Sequence, residues 1–288
     1  MVLSFRKKSL RCLRKTFLIS IAGWAIFGMA VCANAEFYGD VKTGFQEIKG
    51  DHYGASYYVP PAYSTEKDWP LVVILYSDET EKGARFNEKW LSELKKREVI
   101  ALFVSYLAPR EMPFASDERL LKHIRELAKM YRIDAGRILL TAFGEAAHYA
   151  FYAGFYYPNY FSAVALAGGG AEGRYEPFFE HGNTDAKKLP FLVLYGDQDK
   201  TIRKESFIPV HERLHRRGYQ ISLEELERFG HEFRPELAAK MMDWFGALPR
   251  TMREEERQSA ATAGEETSLR PFNLPKYVGS LLRGVFKG

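Results

Sequence analysis

His211-Glu212-Arg213-Leu214-His215 is the stretch in which residue type and spacing most directly spell out a chemistry. On a helix, positions i and i+4 share a face, so two imidazoles can hold zinc while the glutamate acts as base. The surroundings argue against that reading. Arg213, Arg216 and Arg217 make the helix strongly basic and favour a solvent-facing position, and no third ligand stands at a familiar spacing, although Glu224, Glu225 and His231 follow. Other polar residues are as well explained by solvated loops when taken singly: Asp199 in the turn Gly196-Asp197-Gln198-Asp199, His231 after Gly230, Ser77 before Asp78 and Glu79, and Glu145 after Gly144. What they can do depends on the elements that carry them.

The segment from Arg137 to Gly170 is the most informative of these. Ile138-Leu139-Leu140-Thr141 is an apolar run long enough for a buried strand and too short for a helix. Small residues follow at Ala142, Gly144, Ala146 and Ala147, then a helix-compatible stretch from Glu145 to about Phe155. Tyr157-Pro158-Asn159 stops it, and Phe161 to Ala167 reads as a second buried strand ending in Gly168-Gly169-Gly170.

This order of strand, tight turn, helix and strand resembles the nucleophile elbow of α/β-hydrolases. The motifs are closest to secreted esterases of the feruloyl-esterase and polyhydroxybutyrate-depolymerase type, whose turn reads T-G-F-S-x-G-G and whose next strand follows Y-P-x-x-F-x-A-V-A. Thr141-Ala142-Phe143-Gly144-Glu145-Ala146-Ala147 matches the first pattern with alanines for the outer glycines and Gly144 where the family has serine. Tyr157 to Ala165 matches the second. A nucleophile in such an elbow sits at a strained backbone angle that glycine adopts freely, so Gly144 keeps the turn while removing the attacking oxygen.

The resemblance implies further assignments. The family acid lies in a G-x-x-D turn and its histidine in a late G-H loop, which places Asp199 as the carboxylate and His231 as the imidazole, in the order nucleophile, acid, histidine. The family loop after the first central strand carries H-G and more glycine to present backbone N–H groups to an oxyanion. Here the loop is Tyr76-Ser77-Asp78-Glu79-Thr80, whose acids, with Glu145, would oppose such a charge. Ser77 is the nearest substitute hydroxyl, but it lies on the wrong loop; a His231-activated water or Glu145 as base is the remaining catalytic route. A third reading makes Asp78, Glu145, Asp199 and His231 a cation or amine site.

The expected architecture is α/β: an α/β-hydrolase fold with a mostly parallel sheet and helices on both faces. Phe45–Ile48 and Ala55–Val59 form an antiparallel pair, and strands follow at Leu71–Leu75, Val99–Val104, 138–141, 161–167, 191–195 and 221–226. Helices are expected at 86–97, 117–131 with Asp117 as cap, 145–155, 205–217 and 234–245.

Residues 1–35 read as an export signal. Six Lys and Arg precede the apolar run Phe17–Val31, and Ala33-Asn34-Ala35 offers a cleavage site. The alternative is an uncleaved anchor. Removing the leader takes both cysteines and leaves 35 basic residues against 37 acidic ones, so neither disulfides nor nucleic-acid binding is indicated. The domain is expected over 36–250, followed by a polar linker at 251–270 and a short basic amphipathic segment at 271–288 that docks on its own domain or touches a membrane surface or protein partner. The function expected is that of an exported, periplasmic or secreted, esterase-like protein without catalysis that binds a small-molecule, ester or carbohydrate ligand in the cell envelope. The alternative is an active ester hydrolase with a non-serine mechanism using His231 and Asp199. No cofactor or metal is called for.

Overall fold

A computed structural model describes residues 41–51, 54–77, 83–106, 117–172 and 188–249. Eight strands form one sheet: β1 (Gly44–Glu47), β2 (Ala55–Val59), β3 (Trp69–Tyr76), β4 (Ile100–Ser105), β5 (Ile133–Phe143), β6 (Ala163–Ala167), β7 (Phe191–Gly196) and β8 (Ile221–Leu226). Their spatial order is β1-β2-β4-β3-β5-β6-β7-β8. β2 runs antiparallel to β1 and β4, and every later neighbour is parallel. Among the described residues the helices are α1 (Gly83–Leu94), α2 (Asp117–Met130), α3 (Glu145–Tyr156), α4 (Ile208–Arg216) and α5 (Pro235–Ala247).

Period-two patterning divides the core between the two faces of the sheet. On β3, Leu71, Val73 and Leu75 face the side covered by α2, α3 and α4. Val72, Ile74 and Tyr76 face the side covered by α1 and α5. Leu71 through Ile74 are fully buried, which is why this strand reads as a continuous apolar run rather than an alternating one. Each such side chain contributes about 1.5–3 kcal/mol of transfer free energy.

The chain leaves β3 toward β4 on one side and later returns to β5 on the other. The strand order therefore reverses at the carboxyl ends of β3 and β5, where open α/β sheets form a ligand crevice.

Several boundaries differ from those expected, α1 by three residues at each end. β5 begins at Ile133, five residues early, because Ile133 pairs with Trp69 before a register shift brings Ile138 opposite Leu71. β6 begins at Ala163 rather than Phe161, since Ser162 instead uses its backbone N–H and its hydroxyl on the Ile138 carbonyl. The helix expected from Glu205 is a 3-10 turn at Lys204–Ser206 followed by α4. The leader, the linker and the 271–288 segment lie outside the described residues, and among the described residues no helix is long and apolar enough to cross a membrane.

Candidate functional site

Gly144 stands between β5 and α3 with φ 62° and ψ −133°. This is backbone that residues with a side chain adopt only under strain. The turn is held on both sides: the Gly144 N–H donates to the Ala167 carbonyl at 3.0 Å, and the Gly144 carbonyl accepts from the Ala147 N–H at 3.0 Å.

Asp199 and His231 are brought to the same edge by the loops after β7 and β8. Leu226 pairs with Gly196 at the ends of those strands. A methyl group on Gly196 would lie 2.0 Å from the Phe229 carbonyl oxygen, so only glycine lets the loops close to this distance. Asp197 stitches them further by accepting the Phe229 N–H at 3.1 Å. The backbone N–H groups of Arg228 and Phe229 hold the Asp197 carboxyl below the usual range. Behind His231, buried Phe233 packs on Phe86 at 4.8 Å, Trp90 at 5.4 Å and Phe143 at 5.6 Å.

His231 Nδ1–H donates to Asp199 Oδ2 at 2.8 Å. Asp199 Oδ1 accepts the N–H groups of Thr201 and Ile202, both at 2.9 Å. With its proton on Nδ1, a neutral imidazole presents the lone pair of Nε2, and that atom is buried with no hydrogen-bond partner. The ring lies 4.9 Å from that of Phe143, the residue before Gly144.

The glycine run at the end of β6 joins these parts. Gly168, at φ 57°, lies where a methyl would approach both Asp199 Oδ2 and His231 Nδ1 at 3.5 Å. A methyl on Gly169 would meet the Gly144 carbonyl oxygen at 2.6 Å. Gly144, Asp199 and His231 therefore surround one short stretch of side-chain-free backbone.

Ser77 is buried immediately after β3, and Glu145 opens α3 as a partly buried residue. Asp78 and Glu79, on which the acidic oxyanion loop and the four-residue cation reading depend, lie outside the described residues. The His211–His215 pair separates: His211 is buried and His215 is exposed. The helix is thus not wholly solvent-facing as its arginines suggested, because Val210, His211 and Leu214 form an inward stripe. Among the described residues, no three His, Cys, Asp or Glu side chains are placed to hold a metal.

Two polar clusters were not visible in the sequence. Asp117 does not stand as a simple cap: its carboxylate accepts hydroxyls from Tyr149 at 2.6 Å, Tyr152 at 3.1 Å and Tyr157, and burial raises its pKa to about 6 against the lowering effect of those bonds. Asp51, after the first hairpin strand, takes a bidentate bond from Arg119 and the Nε2–H of His123 at 2.9 Å. These three line a groove of about 690 Å³ against α2. Neither cluster has a local sequence signature, since each joins residues far apart in the chain.

No protein-family model matches the chain, and no curated protein sequence matches it either. Solved structures do. A thermostable esterase superposes with a TM-score of 0.53 at 19% identity, covering 70% of this chain and 62% of its own. A CE1 ferulic acid esterase from Anaeromyces mucronatus gives 0.53 at 14% identity over 70% of this chain and 88% of that one. A protein from Bacteroides ovatus ATCC 8483 gives 0.54 at 16% identity over 70% of this chain, which spans only 35% of that longer protein. At such identities the likeness concerns architecture, and with the strand order above it establishes an α/β-hydrolase fold like that of esterases.

Proposed function

We propose that the chain is an exported esterase-like protein that has lost ester hydrolysis and acts as a binding or structural component of the cell envelope. The observation that carries this reading is Gly144 at φ 62°, beside an Asp199–His231 pair whose Nε2 is buried and unpartnered. Gly144 stands where the esterase pattern has its serine, so the acid and imidazole retain their arrangement without an oxygen to activate. Removal of a single triad member already costs several orders of magnitude in rate.

The ligand this arrangement suits is a neutral ester or carbohydrate whose hydroxyl can donate to His231 Nε2. A buried acceptor left unsatisfied costs about 1–3 kcal/mol, and a hydroxyl recovers that cost. Export follows from the leader pattern in residues 1–35. The second reading, favoured by the same unpartnered Nε2, is a hydrolase in which His231 activates water directly.

One assay separates the two. The purified protein is offered p-nitrophenyl acetate and a feruloyl ester, alone and as His231→Ala. Inactivity in both supports the binding reading, whereas turnover that disappears with His231→Ala establishes the hydrolase. Gly144→Ser is expected to gain covalent labelling by a fluorophosphonate, because the Asp199–His231 pair would then have a hydroxyl to deprotonate.

A further inference from the structure

The first histidine of the 211–215 motif is placed for a task other than metal binding. His211 is 1% exposed, and its ring lies against Phe151 at 4.9 Å and Phe207 at 5.5 Å. Its Nε2 accepts the backbone N–H of Ala171 at 3.0 Å. The proton must then sit on Nδ1, which is buried without a partner. Burial, with the neighbouring His148 imidazole, pushes the pKa down to about 3, so the ring stays neutral at ordinary pH.

His148, one turn into α3, works on the same backbone from the other side. Its Nδ1–H donates to the Gly170 carbonyl at 2.6 Å. Gly170 itself has to be glycine, since a methyl there would lie 2.4 Å from His211 Cε1. Residues 170–171 are thus gripped by two imidazoles, while Gly168 lies beside Asp199 and His231 and Gly169 lies close against Gly144. The two halves of this loop are consecutive residues, so a shift in one is carried into the other.

We propose that His211 and His148 are positioning residues that fix the loop 168–171 and, through it, the geometry of the Asp199–His231 pair beside Gly144. The grip explains why three glycines follow β6: Gly168 for its positive φ, Gly169 to approach the Gly144 carbonyl, and Gly170 to admit the His211 ring. It also gives the motif's first histidine a role that needs an acceptor nitrogen, which an apolar side chain of similar size would not supply. This inference rests on the reading of Asp199, His231 and Gly144 as the ligand site.

The test reads His231 directly in the full chain and needs no catalysis. A proton on Nδ1 bonded to a carboxylate gives a downfield imidazole resonance, assigned by its loss in His231→Gln. His211→Gln keeps an acceptor near the place of Nε2, whereas His211→Met has similar length without an oxygen or nitrogen. The expected result is a retained resonance in the glutamine variant and its loss through exchange with water in the folded methionine variant. Equal resonances in both, or equal losses in both, would assign His211 to packing and overturn the proposal. Should His211→Met not fold, the same comparison at His148 decides, because glutamine can donate to the Gly170 carbonyl and methionine cannot. If neither methionine variant folds, the two histidines serve stability alone and the proposal fails. Hydrolysis of p-nitrophenyl acetate by the unmodified protein would refute the inactive reading, yet leave this resonance test unaffected.

Discussion

Among the described residues stand two aspartate–histidine pairs of nearly equal length, 2.9 Å between Asp51 and His123 and 2.8 Å between Asp199 and His231. Distance alone does not distinguish them. In the first, Arg119 donates three bonds to Asp51 and sets a positive charge against it, and the histidine adds Nε2–H to an oxygen already shared with the guanidinium. Burial lowers the His123 pKa, so that ring contributes a donor rather than a charge. In the second, Asp199 is held by two backbone N–H groups and accepts the imidazole's Nδ1–H, which leaves the buried Nε2 without a partner. One pair closes a joint between hairpin and helix; the other orients a nitrogen. Which ring atom is engaged, and whether a cation already satisfies the acid, separates structure from potential chemistry.

The largest effect should come from breaking the joint. Asp51→Asn removes the carboxylate that the Arg119 guanidinium, only 17% exposed, is bonded to. Truncating one partner of a buried pair costs about 3–5 kcal/mol, and the partial exposure of Arg119 places the expectation near the lower end. Urea denaturation measures it. Asp199→Asn should cost less, about 1–2 kcal/mol, because the asparagine oxygen can still accept the Thr201 and Ile202 N–H groups. Its distinctive effect is on the ring: an amide NH₂ facing Nδ1 forces the imidazole proton to Nε2, which nitrogen NMR reads. Equal destabilisation by the two substitutions, with the His231 tautomer unchanged, would erase the distinction drawn between the pairs.

How much of this was legible in the sequence follows from the range of each interaction. The strands 71–75 and 191–195 were readable because burial on both faces leaves continuous apolar runs, and each extends by only one or two residues at its ends. The loops carrying Asp199 and His231 were found through motif order, and the fold brings them into contact. The early start of β5 was missed because Asp134-Ala135-Gly136-Arg137 has no strand pattern. Arg137 is accommodated by packing over the Phe245 ring at 4.4 Å and donating to the Phe245 and Leu248 carbonyls, partners more than a hundred residues away. His148, His211, Asp117 and His123 stayed hidden for the same reason, as their partners lie 22 to 72 positions off. A glycine triplet in sequence announces a special backbone, but not which of its members answers to φ and which to a neighbour.

Asp117 sharpens the comparison as a third buried acid, one that among the described residues is bonded by neither guanidinium nor imidazole. Three phenols give it hydrogen bonds but no opposite charge, and desolvation outweighs them, raising its pKa to about 6. The sign of the pH effect follows from linkage. Between its ordinary value of 3.8 and about 6 the folded chain binds the proton and the unfolded chain does not, so acidification through this window favours folding at this residue. The full shift corresponds to roughly 3 kcal/mol, of which about 1 kcal/mol should appear between pH 7 and pH 5. His211 opposes it: with a folded pKa of about 3 against an ordinary 6.5, its contribution is lost as pH falls below 6.5. Total stability therefore mixes the two, and the useful measurement is the difference between the wild-type chain and Asp117→Asn. That difference should move in favour of the wild type by about 1 kcal/mol on going from pH 7 to pH 5. A difference that stays flat would mean that the three tyrosines hold the carboxylate charged as effectively as Arg119 holds Asp51, and that hydrogen bonds without a counter-charge suffice in this interior.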